Sequence, residues 1–122
     1  MKFDQHFMID KDILSKIVHY LKLKKNDNVL EIGGGYGALT EELIKKTRNL
    51  TVIEIDTNLY THLKNRFSNI DVVNDNILHF YRLDDYKIPG NLPYSMVESL
   101  MRILVNSDFT LAVFTVPKDF IK

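Results

Sequence analysis

Four consecutive residues, Asn91-Leu92-Pro93-Tyr94, combine an amide, a rigid turn and an aromatic ring. The Asn91 Oδ1 atom and a backbone carbonyl of the Leu92-Pro93 turn can accept the two hydrogens of an exocyclic amine, and proline fixes φ and removes a competing N–H. The Tyr94 ring can stack on a base that is unpaired or flipped out of a helix. These residues therefore suit the holding of a flat base by its amine, whereas the alternative interpretation is an ordinary turn before a helix.

Such a site fits the transfer of a methyl group from a sulfonium to an aromatic amine. The transfer needs in-line placement, and it needs the amine lone pair to be drawn out of conjugation with the ring. Positioning and hydrogen bonding dominate this chemistry, with no covalent nucleophile or metal needed. We therefore predict that Asn91, Leu92, Pro93 and Tyr94 are the catalytic residues and that they lie at the carboxyl end of a strand.

A glycine-rich segment, Gly33-Gly34-Gly35-Tyr36-Gly37, lies directly between a predicted strand and a predicted helix. Glycines at such a position let the backbone approach a ligand without a Cβ in the way. The spacing differs from that of a pyrophosphate-binding loop because position 38 is alanine, and no Walker lysine follows. The loop favours a nucleoside with an amino-acid-like arm over a polyphosphate, and tight strand-helix packing without a ligand is the alternative.

Acidic residues follow the next two predicted strands. Glu54 falls 21 residues after Gly33, close to the spacing of about 20 at which a carboxylate meets ribose hydroxyls. Asp56 is better suited to capping the next helix. Asp75 can accept a hydrogen bond from an adenine amine while a neighbouring backbone N–H binds the ring nitrogen. The segment Asn74-Asp75-Asn76 is also ordinary turn chemistry, so both interpretations stay open.

Hydrophobic periodicity predicts an alternation of strands and helices. Asp10 is predicted to cap the first helix, and Ser95 to Glu98 are predicted to form a capping box at the last one. Strands separated by helices imply βαβ units, so we expect a mostly parallel sheet with helices on both faces. The predicted strands are residues 29–32, 50–55, 70–74, 86–89 and 109–116, and the predicted helices are residues 11–21, 40–46, 59–67 and 95–105.

The composition is that of one soluble globular domain. The 122 residues are 45% hydrophobic and 26% charged, and 16 Lys plus Arg balance 16 Asp plus Glu to a net charge of +0. Because there is no global basic field, RNA binding has to use local patches, such as residues 22–25 and 45–48, or segments outside this chain. Solvated helix ends are the other interpretation of both patches.

Several kinds of site and location are not expected. The chain has no cysteine, which excludes disulfides and thiolate metal sites and fits a reducing compartment. Its four histidines form no pair at i,i+4, so no metal site is predicted. The apolar runs are too short to span a bilayer and the amino terminus has no signal-peptide core. A cytoplasmic protein with no membrane segment is the default expectation.

Five segments, in order, resemble motifs of the S-adenosylmethionine-dependent ribosomal-RNA adenine N6,N6-dimethyltransferases, which include small-subunit dimethylases and erythromycin-resistance methylases. Residues 5–10 are similar to the family's amino-terminal Q-[HN]-F-L-x-D segment, and residues 29–40 are similar to its cofactor loop. Residues 52–56, 74–78 and 91–94 are similar to its ribose strand, its adenine corner and its catalytic motif. The resemblance covers nearly the whole chain.

The resemblance implies a Rossmann-like class I methyltransferase with S-adenosyl-L-methionine as cofactor. It also implies small-subunit ribosomal RNA as substrate and partner, dimethylated at N6 of adenosine during ribosome biogenesis. Asn91 and Tyr94 would hold the target adenosine, and Asn91 is also counted among the cofactor-binding residues. The other implied cofactor contacts are Gln5, His6, Glu31, Gly33 and Gly35 at the methionine end, Glu54 at the ribose, and Asp75 and Asn76 at the adenine ring.

Departures from the family pattern are mild at Asp4, Gly34 and Asn74 and larger in length. Family members continue into two further strands, a second aromatic residue that helps to sandwich the base, and a small helical domain that grips RNA. We therefore expect residues 1–122 to be an incomplete catalytic core with an open apolar sheet edge beside residues 109–116. The alternatives are a cofactor- or RNA-binding remnant without turnover, and a methyltransferase acting on another planar amine such as DNA adenine or protein glutamine.

Overall fold

The computed structural model describes residues 10–115, apart from the side chain of Tyr94. The predictions for Gln5 and His6 fall outside the described residues and stay predictions. The helices are α1 (Lys11–Leu21), α2 (Ala38–Ile44), α3 (Thr57–Arg66) and α4 (Tyr94–Val105). The strands are β1 (Asn28–Ile32), β2 (Asn49–Glu54), β3 (Asp71–Asn74), β4 (Lys87–Asn91) and β5 (Leu111–Thr115), with a short 3-10 helix at Ile77–His79.

The five strands form one sheet in the order β3-β2-β1-β4-β5, and every neighbouring pair is parallel. The chain first builds outward from β1 to β3 and then returns to the other side of β1 for β4. This reversal makes the boundary between β1 and β4 a topological switch point, where Ile32 is in register with Gly90. Crevices at the carboxyl ends of the strands next to such a point are where open α/β sheets bind ligands.

Helices cover both faces of the sheet because side chains alternate along each strand. Val29 and Val52 are buried on one face with residues of α1, α2 and α3, such as Leu21. Leu30 and Ile53 are buried on the other face with residues of α4 and the 3-10 helix. Strands buried on both sides require this double covering, and the predicted parallel sheet with helices on both faces is confirmed.

Two of the three predicted helix caps are confirmed and one is wrong. The side chains of Asp10 and Asp56 accept hydrogen bonds from the backbone N–H groups of Asp12 at 2.8 Å and Leu59 at 2.9 Å. The capping box at Ser95 does not form, because α4 begins one residue earlier with Pro93 at the N-cap position. Pro93 is the N-cap residue and has an extended backbone, so the helix begins at Tyr94. Ser95 therefore lies inside the first turn and is not the N-cap.

The end of β4 was predicted too early. The predicted strand ended at residue 89, but Gly90 and Asn91 also belong to the strand and pair with Phe114 and Thr115 of β5. Among the described residues β5 is an edge strand, and its five residues are all partly buried. The pairing of β4 with neighbours on both sides extends it beyond the local hydrophobic pattern, and this extension sets the position of Asn91.

Candidate functional site

The predicted site residues that the structure describes lie at the carboxyl ends of four neighbouring strands. In sheet order, Asp75 follows β3, Glu54 ends β2, Gly33 follows β1 and Asn91 ends β4. Because the strands are parallel, these ends lie at one edge of the sheet. Residues that are up to 58 positions apart in the sequence, from Gly33 to Asn91, therefore share one side of the molecule.

The glycine-rich loop crosses the switch point between β1 and β4. The Gly33 N–H donates to the Ile53 carbonyl at 2.8 Å, and a Cβ placed on Gly33 would lie 3.8 Å from the Asn91 carbonyl oxygen. Gly35 has φ +58°, and a Cβ there would meet no atom within 4 Å. The loop thus approaches the end of β4 and borders open space at Gly35.

Gly34 has a different role from its neighbour Gly35. A Cβ on Gly34 would lie 2.7 Å from Val52 Cγ1 and 2.8 Å from Leu63 Cδ1. Both of those side chains are fully buried, so the loop packs tightly on β2 and α3 at this point. The packing interpretation of the glycine segment therefore applies to Gly34, whereas Gly35 faces away from the packed interior.

The carboxyl end of α3 braces the outer part of the loop. Arg66 donates to the Tyr36 carbonyl at 2.7 Å and also forms an ion pair with Glu41 of α2. The Arg66 guanidinium lies 4.8 Å from the centre of the Phe67 ring, a favourable cation–π distance. These contacts hold the Tyr36 backbone against the end of α3.

Glu54 ends β2 with its carboxylate buried and hydrogen-bonded to the backbone, and its role at the ribose stays a prediction. Its Oε1 atom accepts the Gly35 N–H at 2.9 Å, and its Oε2 atom accepts the Asp56 N–H at 3.0 Å. Burial raises the pKa of Glu54, and the backbone hydrogen bonds from Asp56 and Gly35 oppose that rise. A carboxylate has about four acceptor positions, so these two hydrogen bonds do not use its full capacity.

Glu31 lies beneath the loop and is the most deeply buried acid of the site, with 1% of its surface exposed. The hydroxyl of Thr40, in α2, donates to its Oε1 atom at 2.6 Å. Burial raises the pKa of Glu31 to about 8, opposed by the Thr40 hydrogen bond and helped by the charge of Glu54. The role of Glu31 at the methionine end stays a prediction. Thr40 was given no role from the sequence, because its partner lies in another element.

The segment after β3 makes the turn contacts that its composition favours. Asn76 Oδ1 accepts the Leu78 N–H at 2.9 Å, and Asp75 Oδ1 accepts the Asn76 N–H and contacts His79 Nδ1, both at 2.7 Å. Two hydrogen bonds lower the pKa of Asp75. The one from the Asn76 N–H has the larger effect, and the one with His79 has the smaller effect. The Asp75 N–H also donates to the Glu54 carbonyl at 3.2 Å, which ties this turn to the end of β2.

The side chain of Asn74 strengthens the same corner. Its Nδ2 atom donates to the Glu54 carbonyl at 2.9 Å, and its Oδ1 atom accepts from the Thr57 hydroxyl at 3.3 Å. The sequence resemblance marked Asn74 only as a departure from glycine. In this chain the amide links the ends of β3 and β2 to the start of α3.

Asn91 is held by the neighbouring strand β5. The Thr115 hydroxyl donates to Asn91 Oδ1 at 2.8 Å, and the Thr115 carbonyl accepts the Leu92 N–H at 2.9 Å. The Leu92 side chain is 1% exposed and packs in the core beside α4, so only its backbone is available to a ligand. The Pro93 carbonyl accepts the Met96 N–H at 3.1 Å. The side chain of Tyr94 lies outside the described part, and its stacking role stays a prediction.

The two basic segments meet at the opposite edge of the sheet, where the strands begin. The Arg48 N–H donates to the Lys25 carbonyl at 3.0 Å. A cleft of about 240 Å³ opens nearby and is lined by Arg48, Asn49, Asp71 and Tyr86, among others. This cleft is separate from the strand ends that hold the predicted site.

Two further findings concern residues 10–115. No helix in this range is long and apolar enough to cross a membrane. No group of three or more His, Asp and Glu side chains in the same range is arranged to hold a metal ion.

Comparison with known proteins supports the same family as the motifs. A family model described as ribosomal RNA adenine dimethylase matches residues 1–122. A ribosomal RNA small subunit methyltransferase A from Malacoplasma penetrans is 40% identical over 124 residues, which cover 97% of this chain and 46% of the relative.

Two solved structures have the same fold as this chain. The 23S rRNA methyltransferase ErmE has a TM-score of 0.84 at 27% identity, over 94% of this chain and 49% of ErmE. A dimethyladenosine transferase from Plasmodium falciparum has a TM-score of 0.82 at 28% identity, over 92% of this chain and 43% of that protein. The predicted Rossmann-like methyltransferase fold is confirmed, and the chain spans about half the length of these relatives.

Proposed function

Because the chain belongs to the ribosomal RNA adenine dimethylase family, we propose that it carries the catalytic core of an S-adenosylmethionine-dependent methyltransferase. Its proposed reaction is dimethylation at N6 of adenosine in small-subunit ribosomal RNA. The observation that carries this proposal is the convergence of the Gly33 loop, Glu54 and Asn91 at the switch point of the sheet. One edge then holds the residues for both a methyl donor and an amine acceptor.

The described residues fit S-adenosylmethionine, which supplies an electrophilic methyl group on its sulfonium when bound. Glu54 accepts backbone hydrogen bonds from Gly35 and Asp56, and a carboxylate with about four acceptor positions can also accept ribose hydroxyl hydrogens. Gly35 borders open space, where a ligand can approach the backbone. Both bonds of the Asp75 carboxylate involve Oδ1, so Oδ2 is the proposed acceptor for the adenine amine, beside Asn76.

Asn91 is the proposed acceptor for a hydrogen of the target amine. Its Oδ1 atom accepts a hydrogen bond from the Thr115 hydroxyl, and an amide oxygen is an acceptor that can take more than one hydrogen bond. The Pro93 carbonyl is engaged by Met96, so we assign the second amine hydrogen to the Leu92 carbonyl. Two such bonds would localise the amine lone pair away from the ring, which is electrostatic preorganisation without a covalent step.

The ribosomal partner and the setting follow from this proposal. The substrate would be ribosomal RNA or a precursor of the small ribosomal subunit, and the enzyme would act in the cytoplasm during ribosome biogenesis. The Malacoplasma penetrans relative is named as a small-subunit methyltransferase, which supports the small subunit as the substrate. We also propose that the 122 residues are one cofactor-binding unit of the longer architecture that the relatives have.

A substrate panel tests the proposed function. The protein expressed from its complete reading frame is incubated with methyl-labelled S-adenosylmethionine and, in separate reactions, unmodified small-subunit rRNA, large-subunit rRNA and adenine-containing DNA. We expect labelled N6,N6-dimethyladenosine in the digested small-subunit rRNA. Label in the large-subunit RNA or the DNA alone would overturn the substrate assignment, and no transfer to any of them would overturn the proposed activity.

A further inference from the structure

We propose that Thr115 is a positioning residue that orients the amide of Asn91 for the target amine. This inference rests on the proposed function of Asn91. Thr115 contacts the catalytic segment twice, because its hydroxyl donates to Asn91 Oδ1 at 2.8 Å and its carbonyl accepts the Leu92 N–H at 2.9 Å. One residue of β5 therefore holds both the side chain and the following peptide of the Asn91-Leu92 pair.

The sheet register places this donor with little freedom. Asn91 and Thr115 are in register and lie directly opposite each other, at the end of the part of β4 and β5 that the structure describes. Threonine is β-branched, so its χ1 angle is restricted and its hydroxyl has few alternative positions. The donor is thus fixed by the strand pairing rather than by a mobile loop.

The direction of the hydrogen bond determines which end of the amide is held. An asparagine amide can rotate about χ2 and exchange its acceptor oxygen for its donor nitrogen. A hydroxyl that donates to Oδ1 favours the orientation in which the amide oxygen lies on the Thr115 side. A carbonyl oxygen can accept more than one hydrogen bond, so this orientation also suits an amine hydrogen, whereas the rotated amide would present N–H groups to that amine.

Loss of the hydroxyl should therefore affect the chemical step more than binding of the methyl donor. The proposed cofactor contacts involve Glu54, Gly35 and Asp75, which are placed by β1, β2 and β3, whereas Thr115 lies beyond β4. Thr115→Val removes the hydroxyl and keeps the β-branched shape and the carbonyl that binds Leu92. Thr115→Ser keeps the hydroxyl. Thr110→Val is the matched control, because Thr110 precedes β5 at the other end of the strand.

The test is single-turnover methylation of small-subunit rRNA by the protein from its complete reading frame, with cofactor affinity measured by calorimetry. We expect Thr115→Val to slow methyl transfer by about ten-fold, the equivalent of roughly one hydrogen bond. Its cofactor affinity should stay unchanged, and the Thr115→Ser and Thr110→Val variants should keep the wild-type rate. In an Asn91→Ala background, Thr115→Val should cause no further loss. Should valine prevent folding, the Thr115→Ser and Thr115→Ala pair gives the same comparison.

The outcomes separate this inference from the proposed function. A wild-type rate for Asn91→Ala would overturn the proposed role of Asn91. A strong defect in Asn91→Ala with a wild-type rate in Thr115→Val would overturn only the role of Thr115. The positioning role would also be overturned if Thr115→Ser were as slow as Thr115→Val, or if Thr110→Val were equally slow.

Discussion

Among the described residues, Glu31 has a pKa that depends strongly on folding. Burial raises its pKa from the ordinary value of 4.5 to about 8. Between these values the folded chain keeps a proton that the unfolded chain has lost. The contribution of Glu31 to the free energy of unfolding is therefore complete below pH 4.5 and is lost as the pH rises to about 8. Over this range the free energy of unfolding falls by at most about 1.4 kcal/mol per pH unit.

We predict that Glu31→Gln weakens this pH dependence. Glutamine keeps an oxygen that can accept the Thr40 hydroxyl, but it does not titrate. Denaturant unfolding of both proteins at several pH values from 5 to 8 measures the effect. The wild-type free energy of unfolding should fall more steeply with pH than that of the variant, and equal slopes would contradict the buried, protonated Glu31. Glu54 has the same sign of pKa shift, so the difference between the two slopes isolates Glu31.

Glu54 and Asp56 are neighbouring acids with separate predicted functions. Glu54→Gln puts an amide N–H group against one of the two backbone N–H donors, Gly35 or Asp56, and weakens the acceptor for the ribose hydroxyls. We expect at least a roughly ten-fold loss of S-adenosylmethionine affinity, since hydrogen bonds to charged groups are worth about 1.5–3 kcal/mol. Isothermal titration calorimetry measures this affinity.

The control is Asp56→Ala, which removes the N-cap of α3. It should lower the free energy of unfolding by about 1 kcal/mol and leave cofactor affinity nearly unchanged in the folded protein. The reverse pattern, with affinity lost in Asp56→Ala and kept in Glu54→Gln, would contradict the assignment of the ribose contact.

Residue spacing could predict that Glu54 and Asn91 lie at strand ends, and the structure places both there. The same reasoning could not find the hydrogen bonds of Thr40 and Thr115. Each is an ordinary threonine in its own element, and its partner is brought close only by folding. Thr115 acts across the β4–β5 pair, 24 residues from Asn91, and its role depends on register.

In the loop between β1 and α2, two adjacent glycines have different surroundings. Gly34 packs against the core, whereas Gly35 borders the space proposed for the cofactor. Gly34→Ala would place a Cβ against Val52 and Leu63 at under 3 Å, and overpacking of this kind costs about 1–3 kcal/mol. Gly35→Ala meets no neighbouring atom, and its cost is backbone strain at φ +58°, roughly 1 kcal/mol. The new methyl group would enter the proposed cofactor space.

We therefore predict that the two substitutions differ in their main effect. Gly34→Ala should lower the free energy of unfolding more than Gly35→Ala, and Gly35→Ala should weaken cofactor binding more than Gly34→Ala. Chemical denaturation and calorimetry on the same samples measure both quantities. If the two variants lost stability and cofactor affinity in the same proportion, the assignment of packing to Gly34 and of cofactor approach to Gly35 would be contradicted.

Element boundaries show where local sequence patterns are insufficient. The periodicity of residues 11–21 predicted α1 with its correct bounds, because one face of that helix is apolar. The end of β4 and the start of α4 were each misplaced, because Gly90 and Asn91 are held by pairing with β5 and Pro93 begins the helix. The strand contacts join residues more than 20 positions apart, and no local pattern contains them.

At the scale of the whole molecule, alternating strands and helices predicted a parallel sheet covered on both faces. The same alternation leaves the strand order open, because that order depends on which strand returns to β1 after β3. The order decides the site, because it sets the glycine loop directly beside Asn91 at the switch point.

The proposed cofactor-binding unit predicts that the 122-residue chain binds S-adenosylmethionine by itself. All of the described cofactor positions, from Asp75 to Gly33, lie within one sheet and its helices. A ligand at 100 times its dissociation constant stabilises the folded state by about 2.7 kcal/mol, so the thermal midpoint should rise with cofactor concentration. A Glu54→Ala control should show a smaller rise. No shift in the wild-type chain at saturating cofactor would contradict the proposed unit.

The proposed role of Asn91 is to hold the target adenosine beside a methyl donor bound at Gly35 and Glu54. The most direct measurement is the single-turnover rate of methyl transfer to small-subunit rRNA by wild-type protein and by Asn91→Ala, with cofactor affinity measured on the same samples. We predict that the variant loses about 100-fold or more in rate, as expected for a preorganised polar contact to the reacting group, while its cofactor affinity changes little. An Asn91→Ala protein that methylates adenosine at the wild-type rate would contradict the proposed role of Asn91.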